Sequence, residues 1–259
     1  MQATSGDITR QYAADGYVVV RDVIDPDLVG AANTHVDWLL DRHPELTPEQ
    51  LGHRLSRDDP FWIELIADQR LLDLAELFVG PDIALFATHY LCKPPRRGQG
   101  VEWHQDGAFW PLEPMNVVTL WLALTDSDLE NGCLRVLPGS HRAELAALRQ
   151  TDRDSVLRRR IDTDVDEDRA VDLVMGPGDV EVHHPNLVHS SAPNRSDRWR
   201  RALTIRYIPT STRITRPDEA SPFLLRGDAV TGLNAYLEPP PFRADDHFRS
   251  PVGKVDPAC

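Results

Sequence analysis

The residues best suited to chemistry in this chain are histidines that lie two positions before an acidic residue. Three such pairs occur among its ten histidines, at positions 35 and 37, 43 and 45, and 104 and 106. His35 and Asp37 fall within a predicted helix, where residues two apart point in different directions, so we expect a solvated surface pair. The second pair falls in a polar connection between helices. His104 and Asp106 instead follow a β-prone run and have aromatic neighbours.

An extended chain places His104 and Asp106 on the same side, where an imidazole and a carboxylate can bind one metal ion. A third ligand is expected from a distant strand, and the segment 176–191 contains three histidines, His183, His184 and His189. Two histidines and one carboxylate on one face of a metal leave coordination positions open, as in non-haem Fe(II) oxygenases. The spacing therefore predicts an iron site, with the choice among the three histidines still open.

Arg200 bears on the cosubstrate, because 2-oxoglutarate bound to iron by its keto acid end leaves a far carboxylate that needs a fixed cation. Arginine suits this role, since its planar fork pairs with both carboxylate oxygens and keeps its charge. Alternation along residues 198–207 predicts one face that points into a barrel and another that packs under helices. The inward face carries Arg198, Arg200, Ala202, Thr204 and Arg206.

The composition restricts the partners of the chain. Of its 259 residues, 41 are acidic and 28 basic, which gives a formal charge of −13. This charge disfavours nucleic acid and anionic membranes, so we expect a small-molecule substrate. No apolar run reaches the ~18 residues of a membrane span, and residues 1–12 show no signal peptide. Three cysteines without a Cys-x-x-Cys pair exclude a zinc finger or disulfide scaffold and favour a reducing cytoplasm.

The elements that must position these residues change character along the chain. Helical patterns occupy residues 26–40 and 60–79, with a further helix start at 47–50. Short β-prone runs then follow at 83–91, 116–124, 132–137, 171–174, 180–183 and 200–208. Helices followed by strands favour an α+β, mainly β fold, a barrel or jelly roll with helices outside. We predict a single domain over 1–259, with a helical part at about 1–80, a jelly-roll core at about 81–209 and a loop or lid at about 210–259.

At this point the sequence resembles the phytanoyl-CoA dioxygenase (PhyH) family of Fe(II)/2-oxoglutarate-dependent oxygenases. The resemblance covers residues 15–209 and rests on the order of several short motifs rather than on any one of them. They are Asp-Gly-Tyr-Val-Val-Val at 15–20, Lys-Pro-Pro at 93–95, His-Gln-Asp at 104–106, Trp121, Asn-Gly-Cys-Leu-Arg-Val-Leu-Pro-Gly-Ser-His at 131–141, Gly-Asp at 178–179, and His-Ser-Ser at 189–191 with Asn194 and Arg200.

The resemblance implies a double-stranded β-helix whose mouth holds iron. It matches His104, Asp106 and His189 to the iron ligands and thereby disfavours His184. It matches Arg200 to the arginine that binds the distal carboxylate of 2-oxoglutarate. It also matches Ser191 to a hydroxyl position beside that carboxylate and Trp121 to an aromatic residue of the cosubstrate pocket.

The implied activity uses Fe(II), 2-oxoglutarate and O2 to hydroxylate an unactivated C–H bond of a small metabolite or natural-product intermediate, with release of succinate and CO2. The family's halogenases lack the carboxylate that Asp106 supplies, so halogenation is disfavoured. Desaturation, ring closure or epimerisation by the same oxidant stay open, as do a binding module without turnover and a cupin-like enzyme that needs no cosubstrate. Candidate substrate residues are Arg206, Lys93, Phe109 and Trp110. His89 is expected to face the pocket without an assigned role.

Overall fold

The N-terminal part of the protein is helical. The computed structural model describes residues 4–153 and 155–252, and the sequence predictions for residues 1–3, 154 and 253–259 lie outside this range. The helices are α1 (Ser5–Asp15), α2 (Pro26–Arg42), α3 (His53–Ser56), α4 (Pro60–Ile66) and α5 (Gln69–Val79). Asp25 caps α2, because its side chain accepts a hydrogen bond from the Leu28 N–H. Pro26 follows it at the first position of the helix, where proline is favoured.

Two helix predictions need correction. The single helix expected over 60–79 is two helices, since the side chain of Asp68 accepts from the Arg70 N–H and starts α5 anew. The start signal at 47–50 yields only a 3-10 turn, Pro48–Gln50, in which Thr47 makes no side-chain capping bond. The true cap in this region is Asp59, whose Oδ1 accepts from the Trp62 N–H at 3.0 Å and begins α4.

Within the described ranges, fourteen strands follow or flank the helices. They are β1 (Tyr17–Val20), β2 (Ile83–Lys93), β3 (Val101–His104), β4 (Leu112–Glu113), β5 (Val118–Ala123), β6 (Leu134–Val136), β7 (Leu148–Gln150), β8 (Arg159–Ile161), β9 (Val171–Leu173), β10 (Val180–His183), β11 (His189–Ser191), β12 (Arg200–Pro209), β13 (Arg213–Ile214) and β14 (Phe223–Arg226).

Two antiparallel sheets form the barrel. The larger sheet has the strand order β1-β10-β5-β12-β2-β14, and the smaller has the order β3-β11-β6-β9. Because consecutive strands in each sheet come from distant parts of the chain, this is the topology of a double-stranded β-helix, as predicted. The outer strands of the larger sheet, β1 and β14, lie outside the predicted core at 81–209, one before it and one after it in the sequence.

Strand β12 divides its side chains between two environments, as the alternation predicts. Leu203, Ile205 and Tyr207 belong to the large apolar cluster formed with the helices, and burial of each contributes about 1.5–3 kcal/mol. On the other face, Arg200 and Arg206 line the interior of the barrel. Arg198 departs from the prediction, because it precedes the strand and forms an exposed ion pair with Asp128 at 2.7 Å.

The prediction for His35 was wrong. This residue is fully buried: its Nδ1 lies 3.0 Å from the Tyr90 hydroxyl, and its Nε2 lies 2.7 Å from Asp59 Oδ2. Its side chain thus joins α2, the cap of α4 and strand β2 in one buried polar network. Asp37 does face outward, where it pairs with Arg201 at 2.5 Å.

The C-terminal segment packs against both the barrel and the N-terminal helices. Strand β14 pairs with the start of β2, and Phe248 packs its ring 5.0 Å from Phe61 and 5.1 Å from His35. Just before β14, the short 3-10 turn Pro217–Glu219 brings Glu219 to the mouth of the barrel. Among the described residues, no helix combines the length and the apolar character needed to cross a bilayer.

Candidate active site

A cavity of about 360 Å³ lies between the two sheets. Its lining includes every site residue that the sequence singled out: His104, Asp106, His189, Arg200, Ser191, Trp121, Arg206, Lys93, Phe109, Trp110 and His89. Residues more than a hundred positions apart therefore meet in one space, of a size typical for small-molecule sites. His184 does not line this cavity.

His104, Asp106 and His189 converge at one point of the cavity. His104 ends β3 and is paired directly across the sheet with His189 on β11, and their ring centroids lie 4.0 Å apart. Asp106 begins a 3-10 turn just after β3. One possible ligand atom from each of the three residues lies within 4.8 Å of the other two, and all three residues are buried.

Backbone carbonyls orient both imidazoles. Nδ1 of His104 lies 2.8 Å from the carbonyl oxygen of Glu102, and Nδ1 of His189 lies 2.9 Å from that of Leu187. A carbonyl can only accept, so each Nδ1 donates a proton to it and Nε2 is the nitrogen that each ring turns toward the cavity. Metal-binding histidines are commonly fixed in this way.

The carboxylate of Asp106 is held at both oxygens. Oδ1 lies 3.5 Å from His104 Nε2, whereas Oδ2 lies 3.5 Å from His183 Nε2 and 3.9 Å from Arg206 Nη2. Burial alone would raise the pKa of Asp106, but the hydrogen bonds from His104 and His183 and the charge of Arg206 bring it well below its usual value. Asp106 is therefore ionised and ready to bind a cation.

His183 and Glu181 form a buried pair that the sequence did not identify. Glu181 is fully buried, and its Oε2 lies 2.7 Å from His183 Nδ1. Burial opposes the charged imidazole, yet the Glu181 carboxylate and Asp106 raise the pKa of His183 to about 9. The available signal was the same-side spacing of residues 181 and 183 on a strand, but in the sequence His183 was only one of three candidate metal ligands.

His184 points elsewhere. Its Nδ1 accepts from the Asn186 N–H at 3.0 Å, and its ring lies 5.5 Å from His141 and 6.2 Å from Tyr12. Of the three histidines in the 176–191 segment, His189 is the one with a ligand atom within 4.8 Å of those of His104 and Asp106.

Arg200 forms one cationic region of the cavity together with Lys93. The two residues are direct neighbours across β12 and β2. The Arg200 guanidinium lies 5.4 Å from the Trp121 ring and donates to the Leu91 carbonyl at 3.1 Å, while its buried Nε has no partner among the described residues. Lys93 Nζ donates to Ser191 Oγ at 2.7 Å. Burial lowers the pKa of Arg200 to about 10, and burial and Arg200 lower that of Lys93 well below its usual value.

Arg206 forms a second cationic region of the same cavity. Its Nη1 lies 2.8 Å from His89 Nδ1 and 3.0 Å from Thr204 Oγ1, and its guanidinium lies over the Trp110 ring at 5.4 Å. Burial lowers the pKa of Arg206, and the charge of Asp106 opposes that shift.

The turn before β6 supports the Lys93 side of the site. Gly132 has φ +80°, a conformation that glycine adopts without strain. A Cβ there would collide with the Ala192 carbonyl oxygen and lie 3.1 Å from Lys93 Nζ. That carbonyl accepts from Lys93 Nζ at 2.5 Å. Gly132 of the sequence motif is therefore needed for its positive φ and for the close approach of the Ala192 carbonyl.

The donor set fits ferrous iron and 2-oxoglutarate. Two imidazole nitrogens and one ionised carboxylate on one side of a cavity form a facial triad, with room for further ligands. The deep guanidinium of Arg200 has an unpaired Nε, and leaving such a group buried without a partner costs about 1–3 kcal/mol. A dicarboxylic cosubstrate would supply both the missing ligands and the missing partner.

A double-stranded β-helix with this triad and a buried arginine is the architecture of the Fe(II)/2-oxoglutarate oxygenase class. The chain belongs to the phytanoyl-CoA dioxygenase (PhyH) family, whose sequence profile matches residues 12–202. The predicted family is thereby confirmed.

Individual relatives agree with this assignment. The peroxisomal phytanoyl-CoA dioxygenase of Rattus norvegicus is 35% identical over 146 residues, which cover 53% of this chain and 43% of that protein. The probable alpha-ketoglutarate-dependent hypophosphite dioxygenase of Stutzerimonas stutzeri is 34% identical over 148 residues, which cover 55% of this chain and 51% of that protein. The matches thus span about half the length of these curated relatives.

Solved structures agree at the level of the fold. The apo structure of the non-haem monooxygenase ThoJ superposes with a TM-score of 0.78 at 24% sequence identity, and the superposition covers 90% of this chain and 88% of ThoJ. The similarity confirms the predicted jelly-roll architecture with its flanking helices.

Proposed function

We propose that the protein is an Fe(II)/2-oxoglutarate-dependent dioxygenase that uses O2 to hydroxylate an unactivated C–H bond of a small metabolite or natural-product intermediate, with release of succinate and CO2. The observation that carries the proposal is the convergence of His104, Asp106 and His189 in a cavity that also contains the buried Arg200. Membership of the PhyH family supports the same reaction class.

In this proposal His104, Asp106 and His189 hold the iron. The carbonyls of Glu102 and Leu187 fix the two imidazoles, so Nε2 of each histidine is presented to the metal without a change of tautomer. Asp106 contributes Oδ1, the oxygen on the His104 side, while its Oδ2 faces His183 and Arg206.

Arg200 binds the distal carboxylate of 2-oxoglutarate, with Trp121 beneath the guanidinium and Ser191 beside it. Lys93 was a candidate substrate residue in the sequence. Its hydrogen bond to Ser191 Oγ at 2.7 Å and its register beside Arg200 support a place at the cosubstrate end instead. Arg200 can pair with the single negative charge of the distal carboxylate, while Lys93 fixes the Ser191 hydroxyl beside it.

The division of labour follows from the positions of these groups. When bound, Fe(II) and 2-oxoglutarate supply, with O2, the oxidising power for C–H cleavage. The protein fixes the three ligands, holds the cosubstrate by its far end and keeps bulk water out with aromatic walls. Phe109 and Trp110 stand on the substrate side, where Phe109 lies 6.3 Å from the His104 ring and Trp110 lies against Arg206.

Other outcomes of the same oxidant remain part of the proposal as alternatives. Desaturation, ring closure and epimerisation need the same iron site and differ only in where the substrate radical lies. A non-catalytic binding module is disfavoured, since it would not require a complete triad together with an unpaired buried arginine. Halogenation is disfavoured, because the Asp106 carboxylate would fill the coordination position that a halide needs.

The test measures 2-oxoglutarate turnover and metal binding separately. Purified protein with Fe(II), ascorbate and O2 is expected to release succinate from 2-oxoglutarate, and a panel of metabolites should stimulate that release. Asp106→Ala and His189→Ala are expected to lose both succinate release and tight Fe(II) binding by equilibrium dialysis. His184→Ala is the matched control, because His184 lies outside the cavity, and it should keep iron.

Two results would contradict the proposal. Loss of iron in His184→Ala with retention in His189→Ala would reverse the choice of ligand. Turnover of a substrate without any 2-oxoglutarate would favour the cupin-like enzyme that needs no cosubstrate.

The cellular setting belongs to the same proposal. Cys92 and Cys133 are free and buried, which suits a reducing cytoplasm. The negative charge suits a small-molecule partner rather than nucleic acid or an anionic membrane. One relative is named for hypophosphite, a small anion, and this agrees with a compact substrate.

A further inference from the structure

We infer that Arg206 is the anchor for an oxyanion group of the substrate, and that the substrate is therefore a small organic acid, with a carboxylate or a phosphonate close to the carbon that reacts. The inference rests on the proposed function, because it assigns the second cationic region of the same cavity.

Arg206 is buried within the barrel and is only partly satisfied. The side chain is 11% exposed and faces the cavity. Nη1 of Arg206 is hydrogen-bonded to His89 Nδ1 and Thr204 Oγ1, whereas Nε of Arg206 has no hydrogen-bond partner among the described residues. These contacts hold the guanidinium in place without neutralising it, as expected for a group that awaits a ligand.

Asp106 does not supply the missing partner. Its Oδ2 lies 3.9 Å from Arg206 Nη2, which is beyond hydrogen-bond range. The same carboxylate is also shared with His183, and the proposed function commits it to the iron. Among the described residues, Arg206 therefore has an ion pair with Asp106 at 3.9 Å but no hydrogen bond to a carboxylate, and an anionic substrate would supply that hydrogen bond.

The distal carboxylate of the cosubstrate cannot bind both arginines. Arg200 and Arg206 lie six residues apart on β12, and a strand rises about 3.3 Å per residue, so their Cα atoms are separated by roughly 20 Å. The distal carboxylate of a five-carbon diacid bound at Arg200 therefore does not reach Arg206, and the keto acid end of the same molecule would be bound to the iron. We assign the oxyanion at Arg206 to the substrate.

The surroundings of Arg206 limit the size of that molecule. Trp110 covers the guanidinium, and Phe86 packs against Trp110 at a centroid distance of 5.9 Å. An oxyanion about 3 Å from Arg206 would lie within roughly 7 Å of the Asp106 carboxylate. The reacting carbon would therefore be only a few bonds from the acid group, and an apolar portion would contact the aromatic wall.

The experiment compares acids with neutral isosteres at equilibrium, without turnover. Full-length protein is loaded with Mn(II) and 2-oxoglutarate and titrated calorimetrically with phenylacetate, phenylacetamide and benzylphosphonate, and with 3-methylbutanoate and its amide. The same titrations use Arg206→Met, Arg206→Lys and the control Arg198→Met. Arg198 is an arginine just before the same strand, exposed and outside the cavity. Succinate release with Fe(II) is measured in parallel.

Wild-type protein and Arg198→Met are expected to bind each carboxylate at least about 10-fold more tightly than its amide, the size of one charge-assisted contact. Arg206→Met should reduce that ratio to within about 2-fold, and Arg206→Lys should give an intermediate ratio. The phosphonate tells whether the site prefers a tetrahedral or a planar oxyanion.

The inference is overturned if no acid binds wild-type protein more tightly than its amide, or if Arg206→Met keeps the preference for acids. Failure of the proposed function is a different result, since the wild type would then fail to bind 2-oxoglutarate in the presence of the metal. Retained 2-oxoglutarate binding and succinate release without any preference for acids would reject only the role of Arg206.

Discussion

Replacement of Asp59 by alanine tests whether the buried network around His35 joins the helices to the barrel. Asp59 has two functions in the structure. Its Oδ1 caps α4 by accepting from the Trp62 N–H at 3.0 Å, and its Oδ2 lies 2.7 Å from Nε2 of the fully buried His35. The opposite nitrogen of His35 meets the Tyr90 hydroxyl on β2 at 3.0 Å. Alanine removes both functions at once.

The magnitude follows from these two contacts. Loss of an N-cap costs about 1 kcal/mol. A buried imidazole nitrogen left without its partner costs a further ~1–3 kcal/mol. Asp59→Ala should therefore lower the free energy of unfolding by about 2–4 kcal/mol. Asp59→Asn keeps an oxygen for the cap and should lose less than half of that amount.

Urea denaturation followed by tryptophan fluorescence measures the effect, with a shift in midpoint at constant m-value as the expected form. Asp25→Ala is the matched control. Asp25 caps α2 through Leu28 N at 3.0 Å, but its other contact is an exposed ion pair with Arg70, which contributes little. If Asp59→Ala costs no more than Asp25→Ala, the network does not stabilise the fold as argued.

Three further predictions concern the site and its surroundings. Arg200→Met should weaken 2-oxoglutarate binding to the Mn(II) protein by about 2–5 kcal/mol, or roughly 30- to 4000-fold, in calorimetry; a change below threefold would remove Arg200 from the cosubstrate site. Gly132→Ala should lower both the melting temperature and 2-oxoglutarate affinity, because a Cβ collides with the Ala192 carbonyl that holds Lys93, whereas Gly30→Ala, with open space around it, should lower neither. Burial, with the charges of His141 and His183, lowers the pKa of His184 to about 4. Between pH 6.5 and 4 the unfolded chain therefore binds one more proton than the folded chain, and the free energy of unfolding falls as the pH decreases through that window. In urea titrations at each pH, His184→Asn should lose less stability over this window than the wild type.

Local sequence signals were sufficient to predict which of several side chains face the cavity. The alternation along β12 predicted that Arg200 and Arg206 face the cavity and that Leu203 faces the helices, because a strand has only two faces. The His-Gln-Asp motif predicted a shared metal position for His104 and Asp106. Both predictions depend on the geometry of a few consecutive residues.

The errors arose where the decisive contact comes from elsewhere in the chain. His35 looked like a surface residue of an amphipathic helix, but Asp59 and Tyr90, which are 24 and 55 residues away, supply partners that permit its burial. The His183–Glu181 pair was missed for a related reason. Its importance depends on Asp106, 77 residues from His183 along the chain, and local spacing contains no information about that approach.

The division of the site between the two sheets explains why the whole barrel is needed for it. His104 and His189 lie on β3 and β11 of the smaller sheet, whereas Arg200 and Arg206 lie on β12 of the larger sheet. Metal binding alone therefore involves one sheet and the turn at Asp106. A cosubstrate that contacts both the iron and Arg200 would bridge the two sheets, and an acid bound to Arg206 would bridge them a second time. Because each such ligand binds only when the sheets are correctly packed, its binding energy adds to the stability of the fold.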